Sequence, residues 1–534
     1  MMKIFTGSLL AFLLSLITSV SHADENEYIF KNPDGRSLAS FKSEGHRGMV
    51  ASPIPQASEA ALDVLKAGGN AVDAAICASF VISVLKPQST GIGGGGFMLY
   101  YEAESGETHV LDFRERAPAG ASRNMYVRDG EVVKHLSRVG HLAVAVPGLV
   151  AGMVEASEQF GTLPLDVLVG PAVELASDGF TVYPELARDL AHRFEKMDAN
   201  PAMRKIFCRK GSPLSAGDRL RQKDLAGTLK AIGKKGRSAF YEGRVARAIA
   251  RDMKKHGGLI TEEDLAKYQV KVREPVIGDY SGHRVVSMPP PSSGGVHLIQ
   301  MLNVLKGYPV KEQFKDVSAT HIMIEAMRTA YADRAVALGD PDFVDVPVER
   351  LLSDAYAEKT RKGIPVSRAR KSTTPHVEIK QESESTAHIS VVDQHGNVVS
   401  TTHTINFSFG ACVVIPKTGI VLNNEMDDFS TQPGVPNMFG LVGGEANAIA
   451  PGKTPLSSMS PTIVFKADKP YLVLGSPGGS RIITAVLQVI VNMIDYKLPL
   501  EKAIAHGRIH HQWLPDGVSV EKGLYPAGII EDLI

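Results

Sequence analysis

The sequence predicts an α+β fold arranged as a four-layer αββα sandwich, with two antiparallel sheets face to face and helices outside. Three observations carry that expectation. Helical segments with spaced apolar residues stand near the start, short alternating strands joined by tight turns recur early and late, and a helix that is apolar nearly all round follows the last of them. The chain's 534 residues are 44% hydrophobic and 22% charged, enough apolar matter for a sizeable core and too much for whole-chain disorder. Its 58 basic residues balance 58 acidic ones, which argues against nucleic-acid binding, since duplex affinity needs a clustered basic excess.

Residues 1–23 read as a secretory signal peptide. Lys3 is a positive start, Ile4 to Val20 carry no charge, and small residues, Ser21 and Ala23, stand where a peptidase reads. An uncleaved anchor is the alternative, but the stretch is short for a span of about 20 residues. The expectation is a periplasmic or secreted product with no membrane attachment after signal removal. Cys77, Cys208 and Cys412 are too few for a disulfide framework and match no metal spacing.

From Gln56 to Leu85 the chain reads helix, turn, helix, both amphipathic, with Gly68-Gly69 between them and Asn70 as the second N-cap. A glycine-rich loop, Thr90 to Gly96, leads into FMLYYE and THVLDFR, a hairpin with Arg114 at its end. Residues from about 145 to 340 read as mostly helical: Leu163 to Asp178, Lys223 to Gly233, Tyr241 to His256 and Ser318 to Leu338, with a capping box at Thr261 to Asp264. The basic run Lys234 to Arg237 reads as a solvated helix end. Thr360 to Ser385 lacks periodicity and reads as an exposed linker. AHISVVD and VVSTTHT then form a second hairpin, TIVFKAD and YLVLGS a third, and Pro477-Gly478-Gly479-Ser480 opens the apolar helix RIITAVLQVIVNMI.

Several local motifs are set aside. Gly91 to Gly96 satisfies G-x-G-x-x-G, but a helix precedes it and a strand follows, the reverse of a dinucleotide site, so it reads as a close-packing loop. His510-His511 has no partners at ligand spacing, and no metal or cofactor is expected. Asn406-Phe407-Ser408 fits a glycosylation sequon, a match frequent by chance. The junction Ser385-Thr386 remains. A linker running into a threonine that starts a buried strand fits a nucleophile exposed by chain cleavage. Its own freed α-amine, with a reference pKa near 8, would serve as base.

Glu384-Ser385-Thr386-Ala387-His388-Ile389-Ser390-Val391-Val392-Asp393 is followed by Thr404-Ile405-Asn406, Asn423 to Phe429, Pro455 to Pro461 and Gly475 to Arg481. With GIGGGGFMLY and Leu111 to Glu115 upstream, this series resembles γ-glutamyltransferases over nearly all of the mature chain. The resemblance implies an N-terminal nucleophile hydrolase: a proenzyme that cuts itself between Ser385 and Thr386 into a large subunit, residues 24–385, and a small catalytic one, 386–534, which stay associated. It implies Thr386 as nucleophile, Thr404 as the threonine that positions it, and the backbone N–H groups of Gly478 and Gly479 as the oxyanion hole. Arg114, Ser457 and Ser458 match the family's carboxylate binders; Asn406, Glu425 and Asp428 match its polar and ammonium-binding positions. Singly, Arg114 also fits a strand-end salt bridge, Ser457-Ser458 a turn, and Asp427-Asp428 a surface acidic pair.

The implied partners are glutathione and other γ-glutamyl compounds as donors, with water, amino acids or peptides as acceptors. Two departures stand out. Family members usually add strands beyond the position of Ile534, so a C-terminally truncated small subunit is expected. In the segment Pro433 to Gly444, which resembles a lid, Phe439 stands where tyrosine is common, removing a hydroxyl that could reach Asn406; a looser lid is the expectation. The alternatives are a cephalosporin (glutaryl) acylase on the same scaffold and an unprocessed, non-catalytic periplasmic binding or scaffold protein.

Overall fold

The computed structural model describes residues 42–309, 316–372, 385–521 and 527–533. The expected signal peptide and residues 373–384 of the expected linker lie outside the described residues. Ten strands make up the two larger sheets: β1 Met49–Ala51, β2 Gly95–Tyr101, β3 Thr108–Phe113, β4 Lys271–Arg273, β5 Val276–Tyr280, β6 His283–Ser287, β7 Thr386–Val392, β8 Val398–Thr404, β9 Thr462–Lys466 and β10 Lys469–Leu474. The first sheet runs β1-β7-β8-β2-β3-β4 and the second β5-β6-β9-β10, antiparallel throughout.

The three expected hairpins form β2-β3, β7-β8 and β9-β10. The region expected to be mostly helical departs from that reading, because β4, β5 and β6 lie within it and supply one edge of the first sheet and half of the second. VIGDYSGHRVVS hides its hairpin from a periodicity count, since Gly278 and Asp279 interrupt the alternation. Ile299 fills the place of the side chain that Gly278 lacks.

The helices that frame the site are α1 Pro55–Lys66, α2 Ala71–Leu85, α3 Leu149–Phe160, α4 Gly294–Leu305, α5 Val317–Ala337 and α6 Ile482–Ile494. Asn70 caps α2 as expected: its side chain accepts from the N–H groups of Val72 and Asp73, and the Asp73 carboxylate accepts from the Asn70 N–H at 3.0 Å. The expected amphipathicity of α2 does not hold, for every one of its residues is buried. It is packed against β7 on one side and against α1 and the helix Leu165–Asp178 on others, so no face is left for solvent.

Side-chain alternation sorts the strands into separate cores. Phe97, Leu99 and Tyr101 of β2 share a cluster with Val286, Ile463 and Phe465 of the second sheet. Met98 and Tyr100, pointing the other way, join α2 and α3. Val285 and Val464 turn to a third cluster with α4, α5 and α6. The expected linker is only partly one: Asp354–Lys362 is helical, and beyond it Arg370 pairs with the buried Glu325 of α5 while the Ser372 N–H donates to Asp516 at 2.9 Å. No helix among the described residues is long and apolar enough to cross a membrane.

Candidate active site

The site starts from a strand pair. β7 begins at Thr386 and β8 ends at Thr404, and antiparallel register sets the two residues opposite each other. Their β-branched side chains have few χ1 options, which fixes where the hydroxyls point. Thr386 Oγ1 donates to Thr404 Oγ1 at 3.3 Å, and Thr404 Oγ1 donates in turn to the carbonyl oxygen of Ser385 at 2.8 Å. The Asn406 N–H donates to the same Thr404 hydroxyl at 2.9 Å, completing its partners. Asn406 adopts φ 74°, a left-handed conformation that asparagine tolerates, and its amide donates to the Asn424 carbonyl at 3.1 Å. At 4% exposure Asn406 is no glycosylation acceptor in this fold.

Among the described residues no imidazole hydrogen-bonds to Thr386. His388 is bonded to Thr402 and Ser390, His403 to Thr90. Burial pushes His388 down to about 3 and His403 down to about 4, so both are neutral near pH 7. The glycine-rich loop packs as expected: a side chain on Gly94 would run into the Thr404 carbonyl, and one on Gly96 into that of Thr402.

A second group of residues gathers around Arg114, just past the end of β3. Its Nη1 lies 2.5 Å from Glu425 and its Nη2 2.6 Å from Asp428, while Nε donates to the Pro455 carbonyl at 3.1 Å. Both carboxylates come from one short turn, Glu425–Asp428. Glu115, fully buried, lies 3.9 Å from the same guanidinium. Three carboxyls thus crowd one cation. Burial raises Glu425 to about 7, against the pull of Arg114, and holds Glu115 well above the usual carboxylate range, with the charge of Glu425 adding to the effect. Neither oxygen of Glu115 nor Oε2 of Glu425 meets a donor among the described residues. A proton shared between the two carboxyls would give them a partner.

Opposite stands a serine-rich wall. Ser292 bridges to Ser457, and the N–H and hydroxyl of Ser293 donate to the Ser457 carbonyl at 2.9 and 2.7 Å. The Ser457 hydroxyl accepts from the Met459 N–H at 3.0 Å. Arg334 of α5 reaches in from behind, its Nε donating to Ser293 Oγ at 3.0 Å and its Nη2 to Ser458 Oγ at 3.4 Å. Sequence reading missed Arg334. Its signal was weak, because the same helix also carries Glu325, Arg328 and Asp333 and nothing in its order sets Arg334 apart from them.

The last wall is the loop before α6. Gly478 and Gly479 both take positive φ, 119° and 55°. The Phe439 ring lies where a side chain on Gly479 would go, and packs on Phe407 with centroids 4.8 Å apart. Gln512 donates to the Phe439 carbonyl at 2.9 Å, and Asp427 accepts from the Met438 N–H, so the lid segment is tied at two points. The surface-pair reading of Asp427 fails: it is buried and also binds Ser137.

One narrow cleft collects Arg114, Thr386, Thr404, Asn406, Glu425, Asp428, Ser457, Ser458 and Gly479, joined by Arg334 and Phe439. Of the expected site residues, Gly478 and Ser385 fall outside its lining, each one position before a residue that lines it, Gly479 and Thr386. The three cysteines are free. His510, set aside in the sequence, bonds to Thr484 and Gln512. Among the described residues, those that could hold a metal lie elsewhere: His141, Asp252 and His256 bring ligand atoms within 4.8 Å of one another, and none of them lines the cleft.

The family model for gamma-glutamyltranspeptidase matches residues 57–534. The chain is 50% identical over 485 residues to the glutathione hydrolase proenzyme of Escherichia coli (strain K12), covering 90% of this chain and 83% of that protein. In structure it is similar to a cephalosporin acylase from Bacillus halodurans, with a TM-score of 0.80, 31% identity, and coverage of 93% of this chain and 90% of the other. It is also similar to Helicobacter pylori gamma-glutamyltranspeptidase, with a TM-score of 0.60, 44% identity, and coverage of 62% and 95%.

Proposed function

The chain belongs to the gamma-glutamyltranspeptidase family, and from that premise we propose a self-cleaving enzyme that moves the γ-glutamyl group of glutathione and related compounds to water, amino acids or peptides. The observation that carries this reading is the run of hydrogen bonds from Thr386 through Thr404 to the Ser385 carbonyl, on the wall of a cleft with buried charges of both signs. In the precursor, Thr386 Oγ attacks the Ser385 carbonyl carbon while Thr404 draws on its oxygen. The C–N bond breaks, an ester forms, and water hydrolyses it, leaving residues 24–385 and 386–534 as associated subunits. The finer fold reading is the four-layer αββα sandwich, supported by the three segregated cores.

The freed α-amine of Thr386 then takes the hydroxyl proton as Oγ attacks the donor's γ-carbonyl. Backbone N–H groups at Gly478 and Gly479 hold the oxyanion, aided by the positive end of α6 one short turn away. The amine leaves with a proton, and water or an acceptor amine releases the γ-glutamyl group from the ester. Glu425, Asp428 and Asn406 take the donor's α-ammonium, which fills the Oε2 of Glu425, an acceptor without a donor among the described residues; Arg114, Ser457 and Ser458 take its α-carboxylate. With residues 1–23 read as a signal, the enzyme acts in the periplasm or outside the cell.

The likeness to a cephalosporin acylase supports a second reading on the same scaffold. A glutaryl group has no ammonium, however, and would leave Glu425 Oε2 without the donor it lacks among the described residues. The test is Thr386→Ala, read by a denaturing gel and by γ-glutamyl p-nitroanilide turnover. The expected result is one full-length band and no turnover; two bands, or turnover at the wild-type rate, would overturn the assignment.

A further inference from the structure

The helix Gly243–His256 carries a stripe of positive charge that nothing in the proposed transfer uses. Arg244, Arg247, Arg251 and Lys255 follow one another at the three- and four-residue spacing that puts side chains on one helix face, and all four are exposed. Lys417, exposed on a turn after Pro416, stands across from them, and Arg244 Nη1 donates to its carbonyl oxygen at 3.0 Å. Helix and turn line a groove of about 360 Å³. The helix precedes the Ser385-Thr386 junction and the turn follows it, so both proposed subunits build the groove.

Two observations separate this groove from an ordinary charged surface. Its cations have no counter-charge of their own, in a chain whose 58 basic residues balance 58 acidic ones. Ion pairs near the stripe join Arg237 to Glu242 and His256 to Asp252; among the described residues they pass over Arg244, Arg247, Arg251 and Lys255, and Lys417 forms none either. The acidic residue in the lining, Asp252, is buried and engaged from behind: His141 Nε2 lies 2.8 Å from one of its oxygens and His256 Nδ1 3.5 Å from the other. Like charges at such spacing also repel, so the stripe destabilises the helix that carries it, and an anion bound from outside would reverse that effect. The same cations oppose a dication at His141, Asp252 and His256, which leaves an anion as the fitting ligand.

A groove of this volume takes a compact molecule, and five cations call for several negative charges in little space. Phosphate groups joined in a short chain have that density, with oxygens that a guanidinium fork takes two at a time. We propose that this groove binds a soluble oligophosphate anion, a di- or triphosphate group, across the two proposed subunits. The site goes beyond the proposed transfer and shares no lining residue with the cleft.

The experiment is isothermal titration calorimetry of the purified protein with sodium tripolyphosphate. One saturable site with a Kd in the micromolar range is expected at about 50 mM salt, weaker by several-fold at about 200 mM because salt screens exposed charges. Arg247→Gln combined with Arg251→Gln should weaken binding by about 10- to 100-fold, the range of one or two charge-assisted hydrogen bonds. Lys466→Gln combined with Lys469→Gln removes the same charge from the exposed end of the β9-β10 hairpin and should leave binding unchanged. Turnover of γ-glutamyl p-nitroanilide should stay at the wild-type rate in both double variants. Equal weakening by the two pairs would show attraction by net charge without a site, and overturns the proposal. So does the absence of saturable binding, citrate binding as tightly as tripolyphosphate, or binding to vesicles of phosphatidylglycerol and phosphatidylcholine with none to the free anion.

Discussion

The Thr404 hydroxyl donates to the Ser385 carbonyl oxygen at 2.8 Å while accepting from Thr386, the residue on the other side of that peptide bond. In the proposed self-cleavage, one side chain would therefore polarise the bond to be cut and orient the group that cuts it. Thr404→Ala should slow self-cleavage by about 10²–10³-fold, the usual effect of removing one oxyanion donor. Thr404→Ser should restore most of it. The time course of the full-length band on a denaturing gel reads both, and wild-type cleavage by the alanine variant would count against the geometry.

The Glu425 carboxyl, pushed up to about 7 by burial, gives the donor site its own pH dependence. Below that value the group gains a proton and stops attracting an ammonium. KM for γ-glutamyl p-nitroanilide should therefore rise as pH falls from about 8 to 6, by up to about tenfold per pH unit below the pKa. In the proposed mechanism the α-amine of Thr386 would shape kcat instead. Glu425→Gln should flatten the KM profile; an unaltered slope would assign the titration elsewhere.

Gly479 has two reasons to be glycine, a positive φ and the Phe439 ring resting on it. Gly479→Ala should lower kcat by displacing the oxyanion loop. Adding Phe439→Ala should recover the steric part but not the conformational one. If the double variant is no better than Gly479→Ala, the ring contact does not set the loop. Separately, Phe439→Tyr regains a hydroxyl beside Asn406, and the ratio of transfer to hydrolysis products should rise.

His388 is held neutral, its pKa lowered by burial to about 3 from a reference of 6.5. The unfolded chain binds the extra proton between those values, so stability rises with pH across the window and is lost as pH falls below about 6.5. The slope is about 1.4 kcal/mol per pH unit for one such histidine. Glu425, raised in the folded state, acts with the opposite sign between its ordinary value and about 7. Urea melts of wild type and His388→Gln between about pH 5 and 7 should show a shallower acid loss in the variant, and parallel curves would refute the assignment.

Much of the scaffold was legible because its signals are local. Asn70 with Asp73 is a cap wherever it stands, tight turns mark the hairpins β2-β3 and β7-β8, and glycines at 93, 94 and 96 leave room that only backbone can use. The strands β4 to β6 were not legible, and the bounds of the helix α4 were not marked. β5 is broken by Gly278, and α4, which lies in the region expected to be mostly helical but is not among the helices singled out there, opens on Gly294-Gly295, with Met288, Met459 and Ser460 packed where their side chains would be.

Thr386 at a strand start, and the family series around it, could be read from the order of residues alone, because a nucleophile and its strand are neighbours along the chain. Which partners each arginine of the cleft finds could not. Arg114 and Arg334 are the same residue type, and only folding places Glu425 and Asp428, more than 300 positions away, on the first and leaves the second with serines. Sequence specifies which groups are present and their local geometry; the charge left over at a buried point is a sum over everything packed around it, and tertiary structure alone supplies that sum.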